Sequence, residues 1–324
     1  MNIKKLAEIT GYSVSTVSKA FSNKKDVSEQ AKNEIFEKAK ELGCYEKYSK
    51  ENYDRKIVAV LCPEAHSQFY SKILSTLNDL IEERGGTMAI SLTDFSKEKT
   101  DKLLRLYSAN KRADGIISVS GGAITTNYST VPIVSFSSTP SPYCDVINLD
   151  CFNGIYQAVQ LLKSYSHTKI AFIGEIRTVF KKQNFVDAMK KADLPVDNDL
   201  ILTNQTQRFE QAGFECMNEL LSLPQLPTAV VTAYDNIALG AIQAIEKNGL
   251  KVPEDISVVG CDDMGVASYY KIALSSIDLG IEEGCKTAVD MLFNKILNPC
   301  YCITKCVTVN STLKDRKTIS KAKN

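Results

Sequence analysis

The chain has 324 residues, 44% hydrophobic and 24% charged, with a formal net charge of +1. That composition fits a soluble protein of more than one domain, and a near-neutral total excludes binding to polyanions by bulk charge alone. No apolar run is long enough for a transmembrane helix, and the opening MNIKKLAEIT has no apolar core of a secretory signal, so neither membrane insertion nor export is expected.

The first pattern in the chain is helical. Ile3, Leu6 and Ala7 fall on one face, Gly11 and Tyr12 interrupt the run, and Ser13 is placed to cap a second helix. In that second helix Val17, Ala20 and Phe21 face inward, which leaves Val14, Ser15, Ser18 and Lys19 outward. Ser28 is placed to cap a third helix carrying Ile35, Phe36, Ala39 and Leu42, closed by Gly43. Two short helices joined by a tight glycine-containing turn make a helix-turn-helix, whose second helix can enter a major groove. Hydroxyls on its outer face suit phosphates, and Lys19 can reach a base edge or a phosphate. Lys4, Lys5, Lys19, Lys24, Lys25 and Lys32 concentrate positive charge around this motif.

Residues 44–56 read as a charged linker spotted with tyrosine. From 57 onward strands and helices alternate. Strands are expected at 57–62, 87–91, 115–119, 131–136, 146–149, 169–173, 229–232, 256–260 and 307–309, with helices at 69–81, 153–163, 209–221, 236–248 and 282–297. Such alternation specifies doubly wound parallel sheets, and about 260 residues of it exceed one comfortable sheet, so two lobes are expected. Residues 311–324 form a basic tail. The ten cysteines are scattered through a long chain and read as reduced thiols; Cys300, Cys302 and Cys306 lack zinc-site spacing, and no metal or cofactor is expected.

Ligands of open α/β sheets bind beyond the carboxyl ends of the strands. Asp150 and Asp262 each follow a strand and can accept hydrogen bonds from ligand hydroxyls, while Phe69 and Tyr70 follow the first core strand and can stack on a sugar face or a base. No G-x-G-x-x-G follows a strand, no phosphate-binding loop occurs, and His66 and His167, the two histidines, sit in no catalytic grouping, so the chain does not read as an enzyme.

The segments Gly11-Tyr12-Ser13, Ser15-Thr16-Val17-Ser18-Lys19 and Val27-Ser28-Glu29-Gln30-Ala31 resemble the DNA-binding head of the LacI/GalR family of bacterial transcriptional regulators. By that resemblance Val14, Ser15 and Lys19 match base-reading positions, and Thr16, Ser18 and Asn23 match positions that hold the DNA backbone. The core is similar to the family's regulatory domain, shaped like a periplasmic sugar-binding protein. The likeness is carried by Asp114-Gly115-Ile116-Ile117, Lys169-Ile170-Ala171-Phe172-Ile173-Gly174 and, most strongly, Ala238-Leu239-Gly240-Ala241 with the run 249–263. It implies an all-α helix-turn-helix head (1–43), a linker (44–56) and a two-lobed core (57–310) with lobe crossovers near 158, 278 and 305. It also implies a cytoplasmic homodimer on a near-palindromic operator and a small-molecule effector in the interlobe cleft, with Phe69, Tyr70, Asp150, Lys181, Tyr234 and Asp262 as contacts.

Three departures from the family pattern bear on this. Lys181 stands where the family usually has an arginine that grips the ligand, giving a point charge instead of a planar fork. Tyr234 replaces an asparagine, so the pocket is expected to differ from a plain hexose site. The linker lacks the Pro-Asn and Ala-Arg-x-Leu elements of the family's hinge helix, so that helix is expected to be absent or altered, with weaker operator bending. The competing reading is a solute-binding protein for a transporter, which shares the core but has no use for a DNA-reading head.

Overall fold

In a computed structural model of the protein, residues 2–22, 26–48, 56–109, 112–119, 121–128, 130–269, 271–300 and 303–323 are described. The chain divides into two compact units, Met1–Lys56 and Ile57–Asn324.

The first unit holds α1 (Ile3–Thr10), α2 (Val14–Phe21), α3 (Glu29–Glu41) and a single turn α4 (Tyr45–Tyr48). Local chemistry accounts for each boundary. Asn2, Ser13 and Ser28 side chains accept the backbone N–H of Lys5, Thr16 and Ala31, satisfying donors that the first turn of a helix leaves over. Gly11, at φ 73°, stops α1 in a left-handed conformation that a side chain would resist. Leu6, Val17, Ala20, Phe21, Ile35 and Ala39 form the core. This unit does not end at Gly43, where the sequence pattern placed its boundary. Cys44 is buried, and the rings of Tyr45 and Tyr48 lie 5.9 and 5.7 Å from Phe21, so the expected start of the linker packs back onto the base of α2. The rest of the altered-hinge expectation, residues 49–55, lies outside the described residues.

The second unit runs β1 (Lys56–Cys62), α5 (Gln68–Glu83), β2 (Gly86–Leu92), α6 (Lys97–Ala109), β3 (Gly115–Ser118), β4 (Ile133–Phe136), β5 (Asp145–Asp150) and α7 (Phe152–Ser164). It continues through β6 (Ile170–Glu175), α8 (Val179–Lys191), β7 (Ile201–Asn204), α9 (Phe209–Leu221), β8 (Ala229–Thr232) and α10 (Asp235–Lys247). The last elements are β9 (Ser257–Cys261), α11 (Gly265–Tyr269), β10 (Ser275–Asp278), α12 (Ile281–Leu297), β11 (Cys306–Asn310) and β12 (Thr312–Lys314). The strands form two six-stranded sheets, ordered β11-β5-β4-β3-β1-β2 and β12-β10-β9-β8-β6-β7. Central strands are parallel and buried on both faces, as continuous runs such as Val58–Cys62 and Val258–Cys261 require.

The chain passes between the sheets three times: from β5 into α7 at Cys151, from β10 into α12 at Leu279 and Gly280, and from β11 into β12 at Ser311. The first and third passages were expected near 158 and 305; residue 158 lies within α7 and residue 305 precedes β11. The passages are tied together. Ser311 donates its N–H to the Asp150 carbonyl, its side-chain oxygen accepts from Gly154 N–H at 2.8 Å, and its carbonyl accepts from the Asn153 side chain at 3.0 Å. A Cβ on Gly154 would lie 2.3 Å from Ile277 and 2.8 Å from the Ser311 hydroxyl, which explains a glycine at this crossing.

Residues 311–323 do not form a basic tail. β12 pairs antiparallel with β10, and the buried Thr318 exchanges hydrogen bonds with the backbone of Val258 and Ser275. Arg316 and Lys323 pair with Asp263 and Asp255, so these cations neutralise the second lobe's own carboxylates. Buried His167 bonds both Thr228 and the Ser320 carbonyl, at 2.9 and 2.8 Å. Burial pushes this imidazole's pKa below its ordinary 6.5, against the opposing effect of the Ser320 bond. The neutral ring therefore contributes stability that is complete above about pH 6.5 and is lost as pH falls from there toward the depressed folded value. Thermal unfolding between about pH 7 and 5 should show a falling melting temperature, with a smaller slope in His167→Gln; equal slopes would contradict the assignment.

Candidate functional site

On the outer face of α2, Val14, Ser15, Ser18 and Lys19 are exposed while Val17, Ala20 and Phe21 are buried. Thr16 is half-buried, and its hydroxyl lies 2.8 Å from that of Ser13, which ties it to the helix cap. Lys19 Nζ sits 2.5 Å from Asp26 Oδ2, an exposed ion pair that a DNA phosphate can displace at little cost. Asn23, with Lys24 and Lys25, lies outside the described residues. Lys32 is buried and paired with Glu29, so it adds little to the basic face. Tyr12 donates its hydroxyl to Glu34 at 2.6 Å, bracing the turn before α2 against α3.

In the second unit a cavity of about 560 Å³ opens between the two sheets. From the β1 side it is lined by Glu64, Phe69, Tyr70, Phe95, Ser137 and Asn148. From the β6 side come Glu175, Arg177, Lys181, Arg208, Tyr234 and Asp262. Five of the six expected contacts, Phe69, Tyr70, Lys181, Tyr234 and Asp262, thus line one cavity. Asp150 does not line it: its carboxylate accepts the N–H groups of Phe152 and Asn153, closing the first turn of α7 at the lobe crossing.

Lys181 does not reach into the cavity as a free charge. Its ammonium donates to Asp262 Oδ1 at 2.5 Å and to the Ala233 carbonyl at 2.8 Å. Burial works to lower its pKa, but the Asp262 carboxylate more than compensates and holds it above the ordinary lysine range. Asp262 occupies a left-handed backbone conformation, φ 91°, which a non-glycine residue keeps only where its surroundings enforce it. Here its N–H bonds Ile277, its side chain bonds Lys181, and the adjacent Asp263 is held by Arg316. Tyr234 anchors the other wall, its hydroxyl accepting the Phe209 N–H at 3.1 Å; burial pushes its pKa up to about 12. Asp235, at the cavity wall, accepts from the Ser276 hydroxyl and the Met264 N–H, and burial lifts its carboxyl to about 7.

Glu64, Phe95, Glu175, Arg177, Arg208 and Asp235 were missed from the sequence. Arg208 meets Glu64 in a two-pronged pair, both bonds 2.8 Å, and the Arg177 guanidinium lies 3.6 Å from the centre of the Phe95 ring. Burial alone would raise the Glu64 carboxyl, but Arg208, with His66 and Ser67, leaves it below the usual range. The rule that selected Asp262 reaches Glu64, Glu175 and Arg177 too, since Glu64 and Arg177 follow the ends of β1 and β6 and Glu175 is the last residue of β6. Arg208 follows β7, a strand the pattern did not reveal. The cavity therefore presents aromatic faces and internally neutralised charge, a surface suited to a polar, uncharged ring-bearing molecule. His66 is outside this lining, exposed, with Nδ1 3.5 Å from Glu64. Among the described residues no group of three His, Cys, Asp or Glu side chains is arranged to hold a metal ion, and no helix is long and apolar enough to cross a membrane.

Comparison with known proteins agrees with this arrangement. A family model described as a periplasmic binding protein-like domain matches residues 159–319. The chain is 28% identical over 311 residues to the HTH-type transcriptional repressor PurR of Haemophilus influenzae (strain PittEE), an alignment covering 91% of this chain and 90% of that protein. It is likewise 28% identical over 314 residues to the HTH-type transcriptional regulator MalR of Clostridium butyricum, covering 91% and 93%. The lac repressor dimer bound to operator and the anti-inducer ONPF superposes with a TM-score of 0.72 at 20% identity, over 99% of each chain. With the helix-turn-helix head and the two-sheet core joined in one chain, the protein is similar over nearly its whole length to these transcriptional regulators and shares the fold of the lac repressor.

Proposed function

We propose that the protein is a sequence-specific DNA-binding repressor whose operator affinity is set by a small molecule bound between the lobes of its second unit. The observation that carries the reading is the division of α2 into a buried face and an exposed face of Val14, Ser15, Ser18 and Lys19, the size and chemistry a major groove accepts. Val14, Ser15 and Lys19 would read base edges, with Thr16, Ser18 and Asn23 holding the backbone. The named relatives that share nearly the whole chain are transcriptional regulators, which supports the same assignment and disfavours catalysis. A related structure holds operator, a second subunit and a small molecule together, which supports a homodimer on operator DNA. In this reading the site is near-palindromic and the protein acts in the cytoplasm without a resident cofactor. Phe69, Tyr70, Lys181, Tyr234 and Asp262 are the proposed effector-facing residues. The effector shifts operator affinity by its different affinity for the lobe arrangements.

The test is a thermal-shift screen of the full chain against neutral monosaccharides, disaccharides and nucleobases, followed by operator titration with each stabilising compound. A true effector changes operator affinity by about 5–150-fold. A compound that stabilises the second unit but leaves operator affinity unchanged at every concentration would favour a solute-binding role.

A further inference from the structure

We propose that Glu64 and Arg208, with Phe95 and Arg177, form a clasp that holds the second unit closed across its cleft, so that the clasp as well as the ligand sets how much of the protein is closed. The proposal rests on the reading of that cleft as the effector site.

Glu64 and Phe95 lie in the loops after β1 and β2, on one sheet; Arg177 and Arg208 lie in the loops after β6 and β7, on the other. None of the four belongs to a crossing segment, so separation of the lobes must break their contacts while leaving the crossings intact. The contacts are also of the kind that define one geometry. The Glu64–Arg208 pair is two-pronged, with both bonds 2.8 Å, and the two side chains are 9% and 24% exposed. Such a pair is stronger and more directional than a surface ion pair, because both prongs must align at once and little water competes. Arg177 covers the face of Phe95 at 3.6 Å, a cation–π contact whose partners also come from opposite lobes. His66 adds a third crossing contact, its ring edge-on to Phe209 at 5.5 Å. Glu175 stands behind Arg208, 3.9 Å from Nε, and is itself held by the Arg177 N–H, so the cationic half of the clasp is aimed from its own lobe.

A ligand that binds only the closed arrangement has its apparent affinity scaled by the closed fraction. The clasp residues are therefore positioning residues for the effector, acting through lobe closure. Weakening them lowers the closed fraction in the absence of any ligand, and this can be read directly.

The experiment is amide hydrogen exchange by mass spectrometry on the full chain, without DNA or effector, for wild type, Arg208→Gln, Glu64→Gln, the double variant and Phe95→Ala. The clasp predicts that Arg208→Gln speeds exchange in the opposite lobe, at residues 62–74, by about five- to tenfold, and that Glu64→Gln does the same at 204–213. The double variant should be no faster than the faster single one, since both remove the same contact. Phe95→Ala should loosen residues 175–181. If each substitution speeds exchange only in its own segment, or in neither, the clasp is wrong. That failure would leave the regulator reading standing, because DNA binding is measured separately.

Discussion

Replacing Phe21 with alanine should unfold the first unit and abolish operator binding while leaving the second unit folded. Phe21 closes α2, is 6% exposed, and meets three rings: Phe36 at 5.1 Å, Tyr45 at 5.9 Å and Tyr48 at 5.7 Å. Truncating such a phenylalanine costs about 3–5 kcal/mol. A unit of this length has only about 3–8 kcal/mol of stability in total, so little or none is left. Calorimetry should show loss of the first unit's transition with the second unit's transition unchanged, and gel shift should show no specific complex. Val14→Ala provides the contrast. Val14 is 43% exposed and supports no core, so its loss should weaken operator binding without lowering the first unit's melting temperature. Specific binding retained in Phe21→Ala would mean that the ring cluster does not hold α2 in place.

Lys181→Met should have the largest effect in the second unit. It keeps the length of the side chain but leaves Asp262 buried, unpaired and in a left-handed turn, close enough to Asp235 that the two carboxylates repel. Removing one partner of such a pair costs about 3–5 kcal/mol. That corresponds to a fall of roughly 10 °C in the second unit's melting temperature. Effector binding should be lost as well, because Asp262 and the Ala233 carbonyl are both positioned through the lysine. Adding Asp262→Asn should recover part of the stability and none of the binding. A Lys181→Met protein that melts like wild type would show that the pair does not organise the cavity wall.

The helical head was legible because its information is local. Ser13 and Ser28 cap, Gly11 turns, and the spacing of Val17, Ala20 and Phe21 sorts inside from outside within eight residues. The central strands were legible as continuous apolar runs. What escaped notice depends on contacts distant in sequence. β7 is only half-buried at every position, and β12 is three residues long and forms by pairing with β10, so neither has an apolar signature of its own. The tail read as basic because Lys314, Arg316 and Lys323 stand far in sequence from the aspartates they pair with. Asp150 and Asp262 read alike as strand-end carboxylates, and only the lobe crossing at Cys151 turns one of them toward a helix start. Arg208 and Glu64 are 144 positions apart, and nothing in either neighbourhood announces the other.

The central claim is that this chain reads DNA through α2, and selection from random duplexes with the full-length protein tests it most directly. It should be run at a stated moderate salt concentration, since phosphate contacts make affinity fall steeply with salt. The expected product is a near-palindrome whose half-site centres lie about 34–36 Å apart or a multiple of that, lost with Lys19→Ala and Ser15→Ala together. Enrichment no greater than that of the Phe21→Ala protein, with and without stabilising compounds, would contradict the account.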